Sequence, residues 1–238
     1  MNIDNLKLKL MSQKIIVAVI TVLLVLAGGW YLYKSNRLSF HLKETPAWEK
    51  FLVFKIKNQN LSSETAGLFR TRFEETKKRL EANPDSFNDW LYLGVLKKGA
   101  GDYEGARDVW LYGAQIRPKS STPFGNLGDL YAYFLNEPAK AEEALKKAIA
   151  NDPNDYNFLL SLADLYRYKM PGREALYEQT LLEAVQKFPD NPNIIGPLAS
   201  YYRQTNQVQK AIEYYEKLIK LVPTNETAKQ DLAELRNK

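Results

Sequence analysis

The side chains that most often perform catalysis are scarce in this chain of 238 residues. It contains no cysteine and a single histidine, His41. The absence of cysteine excludes disulfides, thiolate metal sites and cysteine nucleophiles. A single histidine also excludes a histidine cluster for a metal ion. Acid–base chemistry would therefore depend on carboxylates, lysine or tyrosine.

The carboxylates do not form a pattern that indicates a shared catalytic site. Asp152 with Asp155, and Asp129 with Glu137, have spacings that are typical of surface turns. The sequence contains no glycine-rich phosphate loop and no serine, histidine and aspartate set. We therefore expect no enzymatic activity, no cofactor, no metal ion and no small-molecule substrate.

Charge is distributed unevenly along the chain. Residues 1–86 contain 14 Lys and Arg against 8 Asp and Glu, whereas residues 87–238 contain 19 against 20. The basic excess flanks an apolar segment, which favours anionic lipid headgroups over nucleic acid as its partner. We expect no nucleic-acid binding. Glu142 and Lys146 lie four residues apart and predict a solvated ion pair on a helix.

An uncharged segment, Ile15–Tyr33, predicts a transmembrane anchor in a lipid bilayer. Its 19 residues would form a helix of about 28 Å, close to the ~30 Å hydrocarbon core of a bilayer. Lysine or arginine flanks both ends, and Trp30, Tyr31 and Tyr33 are typical of an interfacial aromatic belt. The alternative is a cleaved signal peptide that is cut before Gly28.

The orientation of this anchor rests on a nearly balanced count of basic residues on its two sides. We expect the short basic tail, residues 1–14, to stay in the cytoplasm, and the C-terminal part to lie outside it. Residues 34–60 are a juxtamembrane linker. Pro46 there could begin a short helix that lies on the bilayer, or one that packs on the next helix. A loosely ordered stalk is the third interpretation.

A helical repeat fills the rest of the chain. Ser62 and Ser63 are suitable N-caps for a leading helix within residues 61–86, where apolar residues recur every three or four positions. Prolines then recur at intervals of 34, 35, 36 and 34 residues: Pro84, Pro118, Pro153, Pro189 and Pro223. Such a period predicts a solenoid of helical hairpins that bury one another's apolar faces.

Each period has the same interior. The eighth residue of each period is small, which lets two helices approach closely: Gly94, Gly128, Ala163 and Ala199. Large apolar residues surround this contact. This pattern resembles the tetratricopeptide repeat family over four repeats, 87–120, 121–155, 156–191 and 192–225. Residues 226–238 resemble a terminal capping helix. Lys97 departs from the pattern, because the family has an aromatic residue at this position.

The resemblance implies an all-α fold, in which the N-terminal transmembrane helix precedes an α-solenoid of tetratricopeptide hairpins. It also implies a concave groove, lined by the first helix of each hairpin, that binds a peptide or a partner helix. The groove positions in this sequence are Asn88, Leu91, Val95, Lys98, Thr122, Asn126, Asp129, Tyr133, Asn157, Ser161, Asp164, Arg167, Tyr168, Asn193, Ser200, Arg203 and Gln204.

Two features limit what can be inferred about ligand binding from these groove positions. Asn88, Thr122, Asn157 and Asn193 each open a first helix, so they can also be interpreted as helix caps. Leu91 and Val95 occupy the positions at which family members that bind chaperone C-termini have lysine and asparagine. That carboxylate clamp is therefore missing.

The expected function is that of a membrane-tethered protein-interaction scaffold, with its repeats on the extracytoplasmic side. Two alternatives follow from the same features. One is an N-anchored import receptor that faces the cytoplasm, and the other is an exported scaffold whose signal peptide has been cleaved.

Overall fold

The computed structural model describes residues 18, 21–31 and 46–237. Contacts divide the chain into two units, Met1–Ala47 and Trp48–Lys238. In the first unit, residues 21–31 are helical, and the side chains from Val22 to Leu26 are 57–68% exposed. Among the described residues, no helix combines the length and the apolar character that a membrane crossing requires.

Several expectations for the N-terminal region lie at least partly outside the described residues. The predicted span Ile15–Tyr33 extends beyond them at both ends. His41, the basic tail and the first part of the linker also lie outside them. The membrane anchor therefore stays a prediction.

The second unit is all-α. Within residues 48–237 it contains ten α-helices: α1 (Ser63–Ala82), α2 (Phe87–Gly99), α3 (Tyr103–Ile116), α4 (Thr122–Tyr133), α5 (Pro138–Asn151), α6 (Tyr156–Tyr168), α7 (Glu174–Lys187), α8 (Pro192–Gln204), α9 (Val208–Leu221) and α10 (Glu226–Arg236). Helices α2 to α9 pair into four consecutive hairpins, and each hairpin packs against the next. The predicted solenoid of helical hairpins is confirmed.

Helix α1 begins where the serine pair predicts. Ser62 is its N-cap, and the Ser62 hydroxyl accepts a hydrogen bond from the backbone N–H of Thr65 at 3.1 Å. This bond satisfies one of the free N–H groups at the helix start. Phe73, Thr76 and Leu80 form the buried face of α1, and α1 packs against α2.

The starts of the later helices correct the helix-cap interpretation. Asp155 and Asn191 cap α6 and α8, and their side chains accept hydrogen bonds from the N–H groups of Asn157 and Asn193 at 3.0 and 2.9 Å. Serines occupy the N-cap positions of α2 and α4, although their side chains make no capping hydrogen bond. The cap interpretation is wrong for all four residues: Asn88, Thr122, Asn157 and Asn193.

The small residues in the repeats permit the predicted close approach of paired helices. A Cβ atom added to Gly94 would lie 2.1 Å from Trp110 Nε1, and one added to Gly128 would lie 2.6 Å from Leu145 Cγ. Both distances are far below van der Waals contact. The two glycines therefore set the helix spacing in the first two hairpins.

Each hairpin turns near a residue with a left-handed backbone conformation: Gly101 (φ 82°), Asn136 (φ 54°), Gly172 (φ 83°) and Asn206 (φ 56°). Glycine and asparagine adopt this region at the lowest cost. The proline intervals of 35 and 36 residues make the second and third repeats one and two residues longer than the first, and these extra residues fall beside the turns. Helices α4 to α7 consequently keep ordinary lengths of 12 to 14 residues.

From Trp48 onward, the linker runs along the first hairpin as a mostly irregular segment. Its one helical turn in residues 46–60 is a 3-10 helix, Glu49–Phe51, which begins after Trp48 and not at Pro46. No helix longer than this turn is present in residues 46–60. We call residues 48–58 the strap.

Apolar side chains hold the strap against the helices. Leu52 is only 5% exposed. The Phe51 ring contacts the Trp90 ring edge-on with centroids 6.2 Å apart, and Phe54 stacks on Phe73 at 4.7 Å. The strap thus covers the apolar face that the first hairpin and α1 would otherwise expose.

Candidate functional site

The sequence-predicted site residues lie together on α2, α4, α6 and α8, the first helices of the four hairpins. We call this surface the A-helix face. Its exposed members are Asn88, Val95, Thr122, Tyr133, Asn157, Ser161, Tyr168, Asn193, Arg203 and Gln204. Its half-buried members are Leu91, Lys98, Asn126, Asp129, Asp164, Arg167 and Ser200.

Lys98 is engaged with a neighbouring repeat. Its ammonium group forms an ion pair with Asp129, which joins α2 to α4. The same ammonium lies 4.6 Å from the centroid of the Phe134 ring. These contacts satisfy the charges of Lys98 and Asp129 inside the protein, so neither group has an unbalanced charge to offer a ligand.

Arg167 has an equally structural environment. Its guanidinium carbon lies 4.6 Å from the Tyr177 ring centroid and 5.5 Å from that of Tyr201. It also donates a hydrogen bond to the side-chain oxygen of Gln204. Arginine stacks well on aromatic faces, so this residue joins α6 to α7 and α8.

The fourth repeat continues this pattern of contacts between repeats. Arg203 forms ion pairs with Asp231 and Glu234 of α10, each at 3.0 Å. The Asn193 amide donates a hydrogen bond to the hydroxyl of Tyr156 at 3.0 Å. The basic members of the A-helix face thus join neighbouring hairpins, and they join the last hairpin to α10.

Asp164 differs from the other charged members. Its half-buried carboxylate makes no hydrogen bond or ion pair with any residue that the structure describes. Burial raises the pKa of Asp164, and the positive charge of Arg167 opposes this rise. Burial likewise raises the pKa of the nearby Tyr133 hydroxyl, with a further contribution from the Asp164 charge. Within the described residues, Asp164 is thus a carboxylate that lacks a direct hydrogen-bond or ion-pair partner, although the charge of Arg167 acts on it.

Exposed apolar side chains interrupt the polar residues of this face. The exposed fractions are 39% for Tyr92, 50% for Val95, 47% for Tyr133, 40% for Phe134 and 62% for Tyr168. Tyr92 and Phe134 were not among the predicted site residues. Tyr92 occupies the sixth position of its repeat, which the family resemblance places in the groove, so a sequence signal for it existed. Phe134 directly follows the end of α4.

The described part of the chain contains no group of three or more histidine, aspartate or glutamate side chains that could hold a metal ion. The chemistry available on the A-helix face is therefore that of hydrogen bonding, ion pairing and aromatic contact.

Family comparisons identify the repeat. Two family models, each described as tetratricopeptide repeat, match residues 130–192 and 198–225. Anaphase-promoting complex subunit 7 of Arabidopsis thaliana is 25% identical over 118 residues, which are 50% of this chain and 21% of that protein. Human interferon-induced protein with tetratricopeptide repeats 2 is 27% identical over 135 residues, which are 55% and 28%. This chain thus matches less than a third of either relative.

Solved structures share the fold. The crystal structure of MamA has a TM-score of 0.56 at 19% identity, over 69% of this chain and 94% of MamA. PilW, a type IV pilus biogenesis factor, has a TM-score of 0.53 at 20% identity, over 72% and 84%. YrrB, described as having an unusual peptide-binding site, has a TM-score of 0.51 at 13% identity, over 67% and 81%. These likenesses extend the tetratricopeptide fold over about two thirds of the chain.

Proposed function

Because this chain carries tetratricopeptide repeats, we propose that it is a protein-interaction scaffold whose A-helix face binds a peptide or a partner helix. One observation carries the proposal. Exposed aromatic side chains, including Tyr92, Tyr133 and Tyr168, stand among polar groups on the first helices of three consecutive hairpins. Tyrosine is enriched in protein interfaces because it offers a large apolar surface together with a hydroxyl group.

The comparisons support this proposal at the level of the fold. YrrB is described as having a peptide-binding site, and the same repeat architecture occurs in this chain. The composition supports a binding function over catalysis, because the chain has no cysteine and a single histidine. We infer that the protein is not an enzyme.

Peptide selection on the full chain tests the scaffold proposal. A random library of 12-residue peptides is displayed on phage and selected against the chain, purified in detergent. Selected peptides are then synthesised with a fluorophore, and their Kd is measured by anisotropy. We expect Tyr168→Ala to raise the Kd about fivefold or more, as for an aromatic interface residue.

Leu182→Ala provides the matched control. Leu182 is a 39% exposed apolar residue on α7, outside the A-helix face. We expect this variant to bind as the unmodified chain does. The proposal fails if no peptide is selected above background, or if Leu182→Ala weakens binding as much as Tyr168→Ala.

We also propose that Ile15–Tyr33 anchors the chain in a membrane, with residues 1–14 in the cytoplasm and the repeats on the extracytoplasmic side. The length of the uncharged segment and its flanking basic and aromatic residues support this assignment. An anchor would concentrate the repeats near membrane-bound partners.

Alkaline extraction, combined with protease access to a C-terminal tag in sealed and opened cells, tests the anchor. We expect the chain to stay with the membrane and the tag to be cleaved without opening the cytoplasmic membrane. Release into the soluble fraction would instead indicate a cleaved signal peptide. Retention with a protected tag would indicate repeats in the cytoplasm, as in an import receptor.

A further inference from the structure

Asp164 lacks a cation that its counterpart in the preceding repeat has. Asp129 and Asp164 occupy the same position in consecutive repeats, and Lys98 of the repeat before forms an ion pair with Asp129. The residue that corresponds to Lys98 in the next repeat is Ala132, which is 3% exposed and uncharged. The ion pair between Lys98 and Asp129, which joins the first two repeats, therefore has no equivalent at Asp164.

The basic residues nearest to Asp164 do not replace the missing lysine. Arg167, one turn further along α6, stacks on Tyr177. The Lys169 ammonium lies 4.9 Å from the centroid of the Tyr133 ring and makes no ion pair within the described residues. Burial raises the pKa of the half-buried Asp164 carboxylate, and the charge of Arg167 offsets this rise only in part.

Two exposed aromatic rings stand beside this carboxylate. Tyr168 follows Asp164 by four residues on α6, so the two side chains share one face of the helix. Tyr133 lies on the neighbouring helix α4, and after burial the charge of Asp164 is the next cause of the raised pKa of its hydroxyl. Lys169 and Arg167 already lie over these rings, 4.9 Å from the Tyr133 centroid and 5.3 Å from the Tyr168 centroid. The carboxylate therefore suits a cationic side chain, which gains an ion pair with Asp164 and rests its apolar stem on the exposed rings.

We propose that Asp164, with Tyr133 and Tyr168, binds a lysine or arginine side chain of the peptide that occupies the A-helix face. This inference rests on the proposed scaffold function and specifies the chemistry of its partner. The ligand cation takes the place that Lys98 occupies beside Asp129. Binding supplies Asp164 with the ion pair that the protein does not itself form between the second and third repeats.

A double-mutant cycle tests the inference. The probes are the 12-residue peptides selected on the full chain, which we expect to share a lysine or arginine. Each is resynthesised with glutamine in place of that residue. Asp164→Asn keeps the shape of the side chain and removes its charge. We expect Asp164→Asn to raise the Kd of the basic peptide about tenfold, the range of a hydrogen bond to a charged group.

The cycle also predicts a strong interaction between the two changes. Asp164→Asn should bind the lysine and glutamine peptides with nearly equal Kd, because either change alone removes the ion pair. Asp190→Asn is the matched control, since Asp190 is an exposed carboxylate in the turn before α8. We expect it to leave both Kd values unchanged. Circular dichroism melts verify that both variants fold.

The possible failures are distinguishable. Selected peptides without a shared basic residue, or additive effects in the cycle, would overturn the cation site and leave the scaffold function intact. A chain that selects no peptide at all would contradict the scaffold function, and the cation site with it.

Discussion

The ammonium group of Lys97 lies 3.6 Å from a carboxylate oxygen of Asp102, and both side chains are almost completely buried. The same ammonium donates a hydrogen bond to the backbone carbonyl of Val53 at 2.5 Å. Lys57 forms a second ion pair with Asp102 at 2.9 Å. The lysine that departs from the family pattern therefore holds the strap on the first hairpin.

The first prediction concerns this buried pair. Asp102→Asn should lower the free energy of unfolding by about 3 kcal/mol, because it leaves the buried ammonium of Lys97 without a counter-charge. Lys57→Met removes the half-exposed partner of the same carboxylate and should cost less than about 1 kcal/mol. Urea denaturation measures both changes. Equal losses in the two variants would contradict the assignment of the buried pair.

The second prediction concerns alkaline stability. Burial, together with the hydrogen bond that the Tyr215 hydroxyl donates to Asp231 at 2.7 Å, raises the pKa of Tyr215 from 10.0 to about 12. The unfolded chain releases this proton at lower pH than the folded chain does. The stabilisation by Tyr215 should therefore be complete below pH 10 and decline between pH 10 and 12.

Ultraviolet titration of phenolate formation checks the Tyr215 prediction. Tyr215→Phe should remove a phenol that ionises near pH 12 and make the stability of the last hairpin less sensitive to pH above 10. Loss of a phenol that ionises near pH 10 would show that the hydroxyl is not protected.

The third prediction concerns helix spacing. Gly94→Ala would place a methyl group 2.1 Å from Trp110 Nε1, and should destabilise the chain by about 2 kcal/mol or more. Gly67→Ala is the opposite case, since nothing lies within 4 Å of the added atom in the exposed interior of α1. It should stabilise the protein by about 0.5–1 kcal/mol. Thermal melts compare the two, and a stabilising Gly94→Ala would be inconsistent with the packing.

The fourth prediction separates stability from binding on the A-helix face. Arg167 is a candidate ligand residue by position, but its stacking on Tyr177 and Tyr201 predicts that Arg167→Ala costs about 1–2 kcal/mol. Ser161→Ala changes an exposed residue of the same helix and should have little effect. Urea denaturation distinguishes them. An unchanged urea midpoint for Arg167→Ala would contradict the stabilising role and make Arg167 a candidate ligand-binding residue again.

The hairpins are predictable from sequence because their contacts are local. The small residues at Gly94 and Gly128 and the recurring prolines define which helices pair and where they end. The contacts of Glu142 show which interactions can be predicted from local sequence and which cannot. Its pair with Lys146, four residues away, is predicted and found at 2.6 Å. Its contacts with the Tyr166 hydroxyl at 2.9 Å and with Arg173 at 3.0 Å depend on how two repeats stack.

The strap and the occupied groove residues illustrate the same limit. The strap has no period, and the long-range contact of Lys97 with Val53 fixes its position. The position of Lys98 in its repeat places it on the A-helix face, but whether it meets a ligand or Asp129 depends on the register between α2 and α4. The sequence alone likewise does not show that Asp164 lacks an ion pair within the described residues, because this depends on which side chains the neighbouring repeats place beside it.

Photocrosslinking of a selected peptide tests the central claim, that the A-helix face is the binding surface, most directly. A photoreactive phenylalanine analogue replaces Tyr133 on α4, or Leu111, a 41% exposed residue on α3. The labelled full chain is irradiated with the fluorescent peptide. We predict a crosslinked product from position 133 and none from position 111. Crosslinking from position 111 alone would place the ligand on the second helices and contradict the account.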